Sequence, residues 1–300
     1  MNCAPRESNF GGFAGILVVL LASSAPAQDF DKISIEKVAA GYRFTEGPAW
    51  SREGFLLFSD VPNDKILKLT PGEGVSVFRE ATGALGNGNT FDAQGRLYSC
   101  ESRTRRVTRT NKKGKIEVIA ERWEGKRLNA PNDIVVRRDG HIYFTDPAFG
   151  QQSEGRELDF YGIYHVTPRG EMSLVAKPSG RPNGIAVSPD GKILYVAISD
   201  DRTIVAYDLG RRGDSSNERV LISNIDGPPD GIRVDEKGNL YVTANELPVY
   251  TPEGKLLTTL ELAETPRNCA FGDADFQTLY ITAYTSVYRV RLNVKGSVQY

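Results

Sequence analysis

One phrase recurs six times along this chain, and no other feature narrows its fold so far. It reads "EGPAW" from Glu46, "NTFDAQGRLY" from Asn89, "NDIVVRRDGHIY" from Asn132, "NGIAVSPDGKILY" from Asn183, "DGIRVDEKGNLY" from Asp230 and "NCAFGDADFQTLY" from Asn268, at intervals of 38 to 51 residues. A short oxygen-bearing residue leads into an apolar, β-branched stretch. An Asp-Gly-like turn and a second, aromatic-containing stretch follow, which is the pattern of a hairpin. Further strand-like runs such as "KILKLT", "RRVTRT", "GIYHVT", "TIVAYDL" and "VYRVRL" complete each unit, and no 3.6-residue period is sustained. Six units of about four antiparallel strands predict an all-β fold, a six-bladed β-propeller occupying residues 28–300. The segment "DKISIEKVAAGYRF" reads as a strand without a blade, and "SVYRVRLNVKG" as one without an outer partner. Pairing the two would close the ring and remove an open edge.

In such a ring the first strand of each blade lines the central channel, so the six leading residues are expected to converge at one mouth. Their side chains carry oxygen acceptors and none is cationic. Gathered out of water they would be costly unless a bound group satisfied them. Carboxylate and amide oxygens suit Ca²⁺ well, Mg²⁺ and Mn²⁺ less specifically, and Zn²⁺ least in the absence of His or Cys ligands. Taken singly, each phrase also reads as an ordinary turn residue capping its own backbone. Six in register, with Glu46 in the first, point instead to a central divalent-metal site.

The remaining sequence bounds the function. A net charge of −1 with no basic stripe excludes nucleic acid as a partner. Residues 1–27 contain an apolar run, "GGFAGILVVLLASSAPA", which follows Arg6 and finishes at Ala25-Pro26-Ala27. It reads as a secretory signal peptide, with an uncleaved anchor as the alternative. The folded part is therefore expected to be periplasmic or secreted, with no membrane attachment after cleavage. Cys100 and Cys269 are expected to be buried free thiols, since two cysteines make no disulfide framework in a domain this large. His141 follows a hairpin turn and His165 lies in a strand, so neither falls at the channel mouth. A Ser-His-Asp hydrolase is thereby excluded, and no nucleophile elbow or phosphate loop is present.

The phrases "FTEGPAW", "KRLNAPNDIVVRRDGHIYFTDPAFG", "RPNGIAVSPDGKILYVA" and "PPDGIRVDEKGNLYVTA" resemble the SMP-30/gluconolactonase/LRE-like family, most of all its bacterial gluconolactonase branch, from about residue 38 to the C-terminus. The resemblance implies a six-bladed propeller holding a divalent metal, usually calcium, that hydrolyses sugar lactones; relatives cleave organophosphates. By motif it implies Glu46, Asn132, Asn183 and Asp230 as metal ligands, with Asp230 also the proton acceptor. Some members carry "RxND" before the second ligand. Here the text is "RLNAPND", which moves Arg127 and Asn129 out of that register. Where relatives often have His after a Cys-Glu pair, this chain has Ser102. Asn89, Glu101, Arg103, Arg127 and Asn129 are candidates for binding substrate hydroxyls, although Arg103, Arg105 and Arg106 also read as a solvated strand face. The expected activity is metal-dependent opening of a small-molecule sugar lactone. The alternatives are organophosphate hydrolysis at the same site and a secreted, non-catalytic calcium-binding propeller.

Overall fold

The structure, a computed structural model, describes residues 1–4, 30–80 and 82–298. Most of the segment read as a signal peptide thus lies outside the described residues. Each recurrence of the phrase opens a four-stranded antiparallel sheet. Blade 1 runs Thr45–Ser51, Phe55–Asp60, Lys65–Thr70 and Gly74–Arg79 from the channel outward. Blades 2 to 5 occupy residues 86–120, 134–176, 182–222 and 232–260 in the same order. In blade 1 the two inner strands are buried at every position, while the outermost is exposed at five of six. Alternation therefore fades toward the axis, because both faces of an inner strand are covered.

Blade 6 takes Pro266–Gly272, Thr278–Ala283 and Ser286–Arg291 from the C-terminal end, and its outer strand, Ile35–Ala40, from the N-terminal end. Ile35 pairs with Val290 and Ala40 with Ser286, which is the predicted closure. Glu264 locks it. Its carboxylate accepts from Lys37 Nζ on the N-terminal strand and from Ser286 Oγ, Tyr288 OH, and the Thr285 amide and hydroxyl. These donors hold the Glu264 pKa down to about 2 against the cost of its partial burial.

Six apolar clusters fill the six spaces between neighbouring blades. Blades 1 and 2 meet through Leu57, Ile66 and Phe91, blades 2 and 3 through Cys100, Val107 and Phe144. Blades 3 and 4 meet through Tyr143, Ile163 and Val196, and blades 4 and 5 through Ile204, Ile232 and Leu240. Cys269 and Tyr241 pack between blades 5 and 6, and Trp50 stacks on Tyr280 where blade 6 meets blade 1. Cys100 and Cys269 are free and buried, as expected.

Polar contacts near the axis fix the spacing of the blades. Second-strand hydroxyls reach the backbone of the next blade: Ser59 to Asn87 O, Thr145 to Asn183 O, Ser199 to Pro229 O and Thr243 to Arg267 O, at 2.6 to 2.8 Å. The glycine after the leading residue permits the approach. A Cβ on Gly184 would stand 2.1 Å from Asp230 O, and one on Gly47 1.9 Å from Asn87 O. Blade 3 carries Asp133 at this position. Its buried carboxylate reaches across the channel, accepting from Ile185 N and from Arg233 Nη1 of blade 5 at 3.4 Å.

Candidate active site

The mouth at which the first strands begin, here the upper one, opens into a cavity of about 420 Å³. Glu46, Asn132, Asn183 and Asp230 line it, each from a different blade. The other two leading residues do not. Asn89 is fully buried: its amide donates to Gly47 O, Ser59 Oγ and Asn87 O, and its oxygen accepts from Ser99 Oγ. In blade 2 the equivalent position belongs to Asn87, which lines the cavity and, like Glu46 and Asn183, precedes a glycine; Gly88 N donates to Asn132 O of the next blade as Gly184 N does to Asp230 O. Asn268 turns its oxygen to its neighbour's amide, Cys269 N, and its side chain lies beside Glu46, where it opposes the upward push on that carboxyl. The ring of six is thus four residues around a cavity and two that brace it.

The two acids differ in reach. Glu46 is 4 % exposed and accepts from Gly47 N at 2.9 Å, whereas the Asp230 side chain is 16 % exposed. Burial first, and then the Asp230 charge, push the Glu46 carboxyl well above the usual range. Burial likewise pushes Asp230 up to about 7, opposed by the nearby Arg267 cation and reinforced by Asp133. Asn183 donates to Ser199 Oγ at 3.3 Å, and the Asn132 side chain makes no hydrogen bond among the described residues. Among those residues no three His, Cys, Asp or Glu side chains are grouped so that they could hold a metal ion by themselves. The set at the mouth is instead two carboxylates that oppose each other's ionisation, plus two amides. A hard divalent cation fits this donor chemistry, because it would take oxygen ligands and offset both charges.

Arginine and aromatic side chains complete the wall, and the repeat gave no sign of them. Arg267, one residue before Asn268, lies between Phe44 and Tyr284, with its guanidinium 5.3 and 5.5 Å from the ring centres. Its Nη1 is 3.8 Å from Asp230 Oδ2. Arg181, two residues before Asn183, stacks on Phe149 at 4.7 Å and forms a two-pronged pair with Asp200. Gln152 reaches the same cavity from the short 3₁₀ turn Gly150–Ser153. That turn belongs to the long connection that stretches the third interval of the repeat to 51 residues, a signal available in the sequence.

The substrate-binding candidates are placed elsewhere. Glu101 is buried among Thr104, Arg106 and Thr108, all of which donate to it. Arg127 Nη2 donates to Thr104 O. Arg103 and Asn129 line a second cavity beside the first, together with Ser102 and Gln152. The histidines lie together, His141 Nδ1 2.7 Å from His165 Nε2, stacked beside Tyr143 and apart from both cavities.

Fold and cavity together define a six-bladed β-propeller with one oxygen-lined mouth. The chain belongs to the SMP-30/gluconolactonase/LRE-like family, whose model matches residues 44–285. It is 33% identical over 294 residues to a gluconolactonase of Zymomonas mobilis, a match covering 87% of this chain and 82% of that protein. A gluconolactonase structure from Xanthomonas campestris superposes with a TM-score of 0.81 at 34% identity, over 87% of this chain and 90% of that one. A calcium-binding regucalcin from Agrobacterium tumefaciens shares the fold at 18% identity, with a TM-score of 0.74 over 87% and 95% of the two chains.

Proposed function

We propose that this chain is a sugar-lactone hydrolase working at the upper cavity with a divalent cation, Ca²⁺ suiting the donors best. One observation carries the reading: four blades deliver two carboxylates and two amides to a single cavity in a chain similar to gluconolactonases over most of its length. Glu46, Asn132, Asn183 and Asp230 would hold the ion. When bound, such an ion polarises a lactone carbonyl and stabilises the charge that develops on its oxygen.

The chain's own residues supply the rest. Asp230 is the more reachable acid, and its carboxylate takes a proton from the attacking water. Water oxygen bonds to the carbonyl carbon, the ring C–O bond breaks, the ring oxygen takes back the proton held by Asp230 and leaves as a hydroxyl, and the product is the open hydroxy acid. Arg267 sets a cation 3.8 Å from Asp230 Oδ2 and orients that carboxylate, while Phe44 and Tyr284 hold the guanidinium. Asn87, Gln152 and Ser199 offer neutral polar groups to sugar hydroxyls. The apolar run behind Arg6 and the Ala25-Pro26-Ala27 site support export, which fractionation of cells and the mass of the processed N-terminus would test.

The deciding assay is hydrolysis of D-glucono-δ-lactone above its spontaneous rate. It should stop with chelator and return when Ca²⁺, Mg²⁺, Mn²⁺ or Zn²⁺ is restored singly. Background hydrolysis by the folded, cation-supplied protein would reject this substrate. Turnover of phosphotriesters alone would move the reading to organophosphates, and no turnover of either would favour the non-catalytic propeller.

A further inference from the structure

The second cavity, of about 270 Å³, adjoins the first and shares Gln152 with it. The segment that carries Phe149, Gln151, Gln152 and Glu154 supplies wall to both. Two of its lining residues hold buried polar atoms without partners: Arg105 Nη2, a donor, and Asn129 Oδ1, an acceptor. Both side chains are otherwise committed. Arg105 Nε donates to Leu128 O at 2.6 Å and Asn129 O at 3.0 Å, and its Nη1 donates to Gly155 O. Asn129 is 1% exposed, and its amide donates to Asp146 O and Phe160 O. Their orientations are therefore set by the fold, and the two orphan atoms are left to something else. Buried polar groups without partners are rare and costly.

The hydroxyls of a sugar suit both atoms, since a hydroxyl accepts from a guanidinium and donates to an amide oxygen. An anion does not. It could only accept, so Asn129 Oδ1 would stay unpaired, and it would meet Glu154 on the cavity wall and Glu157, 3.9 Å from Arg105 Nη1. The volume exceeds the roughly 30 Å³ share of a single water. We propose that this cavity is an accessory subsite for a neutral sugar ring, so that the enzyme prefers lactones of disaccharide aldonic acids, one ring opened in the main cavity and the other held by Arg105 and Asn129. The inference rests on the lactonase reading for its reaction, and on the orphan donor and acceptor for its ligand.

The test compares cellobiono-δ-lactone and maltobiono-δ-lactone with glucono-δ-lactone on the full protein supplied with Ca²⁺. At least one disaccharide lactone should show kcat/KM about tenfold above the monosaccharide lactone, mainly through KM, as expected for one hydrogen bond to a charged group. Arg105→Gln should bring that ratio close to one. Since Arg105 also braces three carbonyls, Gln151→Trp, which fills the cavity from an exposed position on the turn, should abolish the same preference with little change in Tm. A ratio near one in the wild type, or one that neither variant changes, overturns the subsite while leaving lactonase activity standing. Calorimetry with the open disaccharide acids and with gluconate separates the two readings. Arg105-dependent binding of a disaccharide acid by a protein that hydrolyses no lactone would keep the subsite and remove the reaction.

Discussion

The two ends of the channel are built from the same six strands and finish as opposites. At the upper end Glu46, Asn132, Asn183 and Asp230 surround an open cavity of about 420 Å³. Toward the lower end Trp50, Phe91, Val187, Val234 and Phe271 line a space of about 80 Å³. Residues 295–298 lie across that end: Ser297 N donates to Val234 O, Gly296 N to Phe276 O, and Glu236 N to Lys295 O, while Ser297 and Val298 line the space itself. The Asp133–Arg233 pair crosses the channel from blade 3 to blade 5. A ligand of the upper cavity therefore enters and leaves by one mouth.

The same residue types serve both ends, and the difference lies in what satisfies them. At the lower turns Asp92 accepts from Gln94 N and Arg96 N, Asp235 from Lys237 N and Asn239 N, and Ser188 Oγ from Lys192 N and Ile193 N. These oxygens cap their own hairpins. At the upper end the chain runs directly into buried strands, and local backbone donors leave Asp230 and Asn132 largely unsatisfied. Glu264, on the same face, makes the contrast sharper, since its five donors leave it nothing to bind.

The largest effect that would break the comparison is expected at Asp230. Asp230→Asn should lower kcat by roughly 10²- to 10⁴-fold, the range for a lost acid-base group. In chelator the same variant should raise Tm, because it removes one of two buried, mutually repelling acids. Unchanged turnover would show that the upper oxygens are as structural as the lower ones.

Next comes Arg233→Met, which leaves Asp133 buried without its cation. It should cost about 3 kcal/mol or more in denaturant unfolding, and adding Asp133→Asn should recover part of that. Equal stability of wild type and single variant would mean that the pair does not brace the channel.

Glu264→Gln should cost about 2 kcal/mol at pH 7, through weakened charge-assisted bonds to the closing strand. The pKa of Glu264 is depressed in the fold from an ordinary 4.5 to about 2, so its stabilisation is complete above pH 4.5 and is lost as the pH falls toward 2. Wild type should lose stability across that window more steeply than the variant, and parallel curves would contradict the lock. Smallest is the effect of removing residues 295–300. Stability should fall by about 1 kcal/mol or somewhat more for the backbone hydrogen bonds lost at the lower end, with kcat/KM on glucono-δ-lactone within about twofold of wild type. A larger loss of activity would show that the sealed end takes part in binding.

Blade number, hairpin positions and ring closure were legible because they follow from local pattern: a six-fold phrase, turn chemistry, and one spare strand at each side of the array. The four cavity oxygens were legible as members of a ring of six. In "NGNTF" it is Asn87, followed by a glycine like Glu46 and Asn183, that takes the cavity position, and nothing in "RNCA" tells that Asn268 turns its oxygen to Cys269 N. Arg267, Phe44 and Tyr284 escaped notice because they come from both ends of the chain and meet only when blade 6 is closed by Ile35–Ala40. Arg103 and Asn129, candidates by sequence for binding substrate hydroxyls, share a neighbouring cavity with Arg105.

By itself, then, the sequence determined a closed six-bladed ring with an oxygen-rich mouth, since strand alternation, turn residues and repeat spacing are local properties of the chain. The tertiary structure decided which oxygens remain unsatisfied, which cations stand beside them, and which end of the channel is sealed. Those outcomes depend on distances between residues far apart in the chain, and local pattern carries no information about them.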